Sequence, residues 1–143
     1  MIIKVGGNIL DCNVAATLTA FQGYTPHWCD CHGCRNFRVA QDAIFTEPVL
    51  AFFSQFGVDP AKPAEIYDVG PPPDEQSLVI YGGWFHFVGE VISDDDVIDF
   101  SKRLKVYFSR RPALVPQSFS GQPLVQLEFE WKIPWLLPEV WVP

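Results

Sequence analysis

Residues 27–37 read His-Trp-Cys-Asp-Cys-His-Gly-Cys-Arg-Asn-Phe, placing three thiols and two imidazoles within eight positions. A set of this kind can hold a metal, exchange disulfides or simply pack. Metal binding and sulfur chemistry both need the thiolate, which a helix N-terminus favours through its free backbone N–H groups and dipole. Zinc wants four ligands, and Cys29, Cys31 and Cys34 offer three. Cys12 is the best distant candidate for the fourth, because two cysteine-bearing segments would then meet at one ion; His27 and His32 are local substitutes. An iron–sulfur cluster suits the chain less well, since it has four cysteines in all and one is remote.

The rival chemistry is a dithiol at Cys31 and Cys34, a C-x-x-C pair that would make the chain a small thiol-dependent oxidoreductase. No βαβ pattern of the thioredoxin kind surrounds the motif. The plain alternative is that the cysteines pack as small hydrophobes.

Other candidates are thinner. His86 and Trp84 share one side of a strand-like run, where they could line an aromatic pocket with His86 as a base; a satisfied sheet histidine is the simpler reading. Asp94-Asp95-Asp96 lacks the spacing and glycine of a calcium loop and reads as a solvated turn. Glu128 and Glu130 read as an exposed sheet face. The chain has no G-x-S-x-G, phosphate-loop, H-E-x-x-H or G-x-G-x-x-G motif.

These residues need elements to hold them. Ile2, Ile3 and Val5, then Gly6-Gly7-Asn8, then Ile9 and Leu10 predict a hairpin. A short strand through Ala15–Phe21 is expected to deliver the chain to the cysteine loop. A helix should begin near Gly33–Arg35 with Phe37, Ala40 and Ile44 on its apolar side. A second helix has Thr46 as N-cap, Pro48 in its first turn, Val49, Leu50, Phe52, Phe53 and Phe56 as its buried side, and Gly57 as its stop.

The period then changes to two. Leu78–Gly89 reads as two strands, or as one long strand bulged at Gly82-Gly83. Leu104, Val106 and Phe108 mark another strand. Val125, Leu127, Phe129, Trp131 and Ile133 alternate with Gln126, Glu128, Glu130 and Lys132, as a sheet with one covered face requires. Pro60-Ala61-Lys62-Pro63 reads as a turn and Gly70–Glu75 as a rigid loop. The sum is an α+β fold, a largely antiparallel sheet with two adjacent helices on one face, forming a single domain over residues 1–143.

Composition sets the outer bounds. A chain of 143 residues with 48% hydrophobic and 15% aromatic content can bury a substantial core. The formal charge of −7 disfavours nucleic acid and anionic membranes as partners. The basic residues Lys102, Arg103, Lys105, Arg110 and Arg111 alternate with apolar ones and read as balancing acidic neighbours. The first residues lack the pattern of a signal peptide, and no apolar run approaches the ~18 residues of a transmembrane helix. The expected compartment is therefore the cytoplasm, where thiols stay reduced.

The C-terminal stretch from Ile133 to Pro143 is apolar without a usable period, and its prolines forbid a helix. Either it crosses the domain's own core, or Trp135 and Trp141 anchor a partner or a second copy of the chain, making a homo-oligomer.

Four phrases resemble an uncharacterised family of small bacterial proteins: Cys-x-Cys-x-x-Cys-Arg-Asn-Phe at 29–37, Phe-Gly-Val-Asp-Pro-x-Lys-Pro-x-Glu at 56–65, Gly-Trp-Phe-His-Phe-Val-Gly at 83–89 and Pro-Leu-Val-Gln-Leu-Glu-Phe-Glu at 123–130. The resemblance implies a bacterial domain and brings no activity with it. The residues themselves favour a binding or interaction protein, of a protein or a small molecule, with a structural zinc in the cysteine loop. An acidic inhibitor or immunity-type protein that masks a basic partner is the third reading, and it rests on charge alone.

Overall fold

The computed structural model describes residues 1–95 and 97–143. In chain order they form β1 (Ile2–Val5), β2 (Asn8–Cys12), α1 (Val14–Gln22), α2 (His32–Ile44), α3 (Glu47–Ser54), β3 (Glu65–Gly70), β4 (Leu78–Ser93), β5 (Ile98–Asp99), β6 (Leu104–Ser109) and β7 (Leu124–Pro134). The fold is α+β, as the alternation of periods predicts. All pairings are antiparallel, in the order β1-β2-β4-β7-β6-β5, and β3 shares with β2 one edge of the long β4.

The predicted hairpin turns at Gly6, where φ is +57°, and Asn8 closes it by donating from its amide to the Val5 carbonyl at 3.1 Å. Towards the other edge two of the five basic residues pair with acidic ones: Arg110 meets Asp94 at 2.9 Å and Arg103 meets Glu75 at 3.6 Å. Asp96, the third carboxylate of the acidic run, lies outside the described residues.

Two expectations need correcting. Ala15–Phe21 is helical, because Asn13 caps α1 by accepting from the Ala16 N–H at 3.0 Å. Thr17 and Thr19 direct their hydroxyls to the carbonyls of Asn13 and Ala15, so these β-branched residues serve a helix and not a strand. There is also no bulge at Gly82-Gly83: β4 runs unbroken against β7 through Gly82↔Glu130 and Gly83↔Phe129. The two glycines make room instead. The Tyr67 ring lies against Gly82, and the Glu65 carbonyl and the Phe129 ring crowd Gly83.

The helices cover the sheet face that carries Val79, Tyr81, Phe85, Phe87, Phe129, Trp131 and Ile133, and with it they enclose one core. Phe53 of α3 is fully buried, 5.1 Å from the Phe85 ring and 6.1 Å from Trp131. Thr46 caps α3 as expected, accepting from the Val49 N–H at 3.4 Å. Thr46→Ala should cost about 1 kcal/mol in urea unfolding without changing the m-value, the usual loss when an N-cap is removed.

The opposite face is sealed locally by residues 111–119. Trp84 donates its indole N–H to the Ala113 carbonyl at 3.0 Å. Gln126 accepts from the Ala113 N–H at 2.7 Å and meets His86 Nε2 at 3.0 Å. His86 is 1% exposed, lies 6.1 Å from the Phe119 ring, and its Nδ1 has no hydrogen-bond partner. Burial therefore lowers its pKa, opposed by Gln126 and the nearby Ala113 backbone.

A histidine depressed in the folded state costs stability in acid. Above its ordinary value of 6.5 both states are neutral; below it, the unfolded chain takes up a proton that the folded one refuses. Stability should fall as pH drops from 7 to 5, and His86→Gln should flatten that part of the curve. A wild-type slope unchanged in the variant would remove His86 as its cause.

Candidate metal centre and its cleft

α1 ends at Gly23, and residues 24–31 then cross to the start of α2 without regular structure. Trp28 anchors this loop, with its ring 5.8 Å from Phe37 and the Arg38 guanidinium 5.5 Å above it. Cys31 is the N-cap of α2, its Sγ accepting from the Cys34 N–H at 3.4 Å. Capping by sulfur turns Cys31 toward Cys34, while the loop brings Cys29 back over the same helix end.

The result is a three-sulfur cluster. Cys29 Sγ lies 2.7 Å from Cys31 Sγ and 3.3 Å from Cys34 Sγ, and all three sulfurs fall within 4.8 Å of one another. Thiolates at zinc's 2.3 Å in tetrahedral geometry stand about 3.8 Å apart, so an ion would spread Cys29 from its two neighbours by roughly 0.5 to 1 Å. Cys29, Cys31 and Cys34 are close enough together to hold a metal ion. Cys29 and Cys31 are exposed and Cys34 is buried. Hydrogen bonds from Cys31 and Cys34 hold the Cys29 thiol below its ordinary value, whereas burial, with hydrogen bonds to its two neighbours, pushes the Cys34 thiol up.

Cys12 does not join the cluster. It closes β2 opposite Gly89, 2% exposed, beside the N-terminal ammonium, and burial pushes its thiol up to about 11. The expectation that it would be the fourth ligand fails because the β1-β2 hairpin docks along the C-terminal half of β4, whereas the cysteine loop packs near β3. His27 and His32 also stand outside the three-sulfur group. His27 lines a neighbouring cleft, and His32 is the first, half-buried residue of α2.

That cleft measures about 330 Å³. Cys29 and Cys34 form part of its wall, with Tyr24, Trp28, Ile66 and Leu114 as apolar surface and Glu65 as an acidic group. The pocket expected at His86 and Trp84 does not open at the histidine: His86 is buried, with Nε2 on Gln126 and its ring near Phe119, and the Trp84 indole N–H is taken by the Ala113 carbonyl.

The other side of α2 receives the C-terminal stretch. Asn36 is fully buried and satisfies three partners, donating to the Pro134 carbonyl at 3.0 Å and the Tyr81 hydroxyl at 3.3 Å and accepting from the Leu136 N–H at 2.7 Å. Tyr81 in turn donates to the Gly33 carbonyl at 2.7 Å. Arg35 pairs with Glu139 at 3.4 Å. Trp135 donates to the Glu139 carbonyl at 2.6 Å and Trp141 to Asp68 at 2.7 Å, and both indoles pack on the core. The tail thus crosses its own domain and braces the helix that carries Cys34.

Sequence reasoning singled out the cysteines and missed this bracing set. Asn36, Tyr81 and Asp68 carry no spacing signal, and only the Cys-Arg-Asn-Phe phrase marked Asn36. No family model, curated protein or solved structure matches the chain. No helix among the described residues is long and apolar enough to cross a membrane.

Proposed function

We propose that this is a non-enzymatic binding domain in which Cys29, Cys31 and Cys34 hold one zinc ion as thiolates. The observation that carries the reading is the convergence of three sulfurs from a loop and a capped helix end. Soft thiolate ligands select zinc among the common divalent ions, and the positive end of the α2 dipole favours the charge they bear. Bound there, zinc would fasten residues 24–31 to α2 and add its binding free energy to folding.

The dithiol reading gains less support. Its pair would be Cys31 and Cys34, yet the segment leading into them follows helix α1 and not a strand, so the strand-to-helix setting of a thioredoxin-like pair is absent there. The inhibitor reading still stands on the net charge of −7 alone.

Thermal unfolding with and without a strong chelator tests the proposal. Metal removal should lower Tm by several degrees in the wild type and leave Cys29→Ser, already unable to complete the site, unmoved. Equal transitions in all four samples would mean that no ion supports the fold.

A further inference from the structure

We infer that the cleft beside the cysteines is the ligand site of this centre, and that its ligand is an uncharged small thiol with an apolar body. The inference rests on the zinc reading above and adds what the ion would face. Three protein thiolates leave one position of a tetrahedral ion to be filled from outside, the arrangement that distinguishes open sites from closed structural ones. Within the described residues no fourth cysteine, histidine or carboxylate joins the cluster. Two of its three cysteines, Cys29 and Cys34, are also wall residues of the cleft, so a donor lodged in that space lies next to the cluster.

The wall defines the rest of the ligand. Tyr24, Trp28, Ile66 and Leu114 offer aromatic and aliphatic surface, and the volume of about 330 Å³ is at the small end for ligand pockets. No lysine or arginine lines it, and Glu65 does. An anionic group would be desolvated there beside a carboxylate, with no lysine or arginine and only the His27 ring to meet it. A soft donor matches a site already built of sulfur. On binding, the incoming thiol gives its proton to solvent and joins as thiolate; no electron is transferred.

Cobalt(II) serves as the test ion because its visible and near-ultraviolet bands report each added sulfur ligand. Anaerobic cobalt-loaded protein is titrated with 2-phenylethanethiol and, separately, with 2-mercaptoethanesulfonate, and protein-bound cobalt is measured after desalting. The expected result is saturation by the aromatic thiol at a concentration at least tenfold lower than by the anionic one, with cobalt retained. Leu114→Asn should weaken the aromatic thiol about fivefold or more while leaving cobalt affinity unchanged. Leu114 has φ +50°, a conformation asparagine adopts readily, so the variant should fold.

Failure to take up cobalt would overturn the metal reading itself. Cobalt uptake with no spectral response, with equal response to both thiols, with loss of the ion to them, or with Leu114→Asn indistinguishable from wild type, would overturn the cleft inference alone.

Discussion

Phe37→Ala should lower stability by about 4 kcal/mol, the middle of the range for truncating a buried phenylalanine. Phe37 is fully buried on the inner face of α2. Its ring lies 5.8 Å from Trp28, 6.3 Å from Phe45, 6.3 Å from Tyr81 and 6.5 Å from Trp131. Four large aromatic neighbours cannot all collapse into the space it leaves, so the cavity persists and its cost adds to the lost transfer energy. The effect should reach the site as well. Trp28 anchors the cysteine loop through Phe37, so the variant should bind metal more weakly at temperatures where it remains folded. Urea unfolding and a metal titration on the same variant check both parts. Phe37→Leu, which keeps most of the volume, should recover more than half of each loss.

Asn36→Ala should cost about 3 kcal/mol, or roughly 10 °C in Tm for a chain of this size. The side chain is the shared partner of the Pro134 carbonyl, the Leu136 N–H and the Tyr81 hydroxyl. Removing it orphans polar groups that water reaches poorly, and each orphan costs more than the net gain of one hydrogen bond. The C-terminal stretch should also release. Val140, 81% exposed, and the exposed Val142 already lie at its free end, so limited proteolysis should clip the variant after Trp135 much faster than the wild type. Asn36→Asp keeps the shape but loses both donors and buries a charge, and should be at least as damaging. A variant with wild-type stability and an intact tail would show that the tail is held by Trp135, Trp141 and Glu139 instead.

The contrast between these residues and the cysteines shows what the sequence can carry. Period-two alternation made β7 legible residue by residue, because one covered face imposes a pattern on every second side chain. Thr46 and Pro48 marked α3 for the same local reason, a cap and a first turn being decided within four residues. α1 was misread because its threonines look strand-forming, although the Asn13 cap that decides the matter stands immediately before them. Glu65–Gly70 went unseen as a strand: its six residues lie between a turn and a proline loop, and it exists by pairing with β4.

The site divides in the same way. Spacing within 29–34 brings three sulfurs to one helix end, since neighbours in sequence stay neighbours in space. The fates of Cys12, His86 and the tryptophans of the tail depend on which edge a hairpin takes and which loop lies over a strand. Those are tertiary choices, and composition and periodicity do not encode them. The bracing of α2 by Asn36 is of that kind, with partners 45 to 100 positions away in the chain.

The measurement that bears most directly on the metal centre is elemental analysis of protein purified with neither added metal nor chelator, with reactive thiols counted on the same sample. The account predicts about one zinc per chain and three thiols that resist titration until chelator is added, beyond the buried Cys12, which becomes reactive only on unfolding. Absence of metal together with free titration of Cys29 and Cys31 in the folded protein would contradict it.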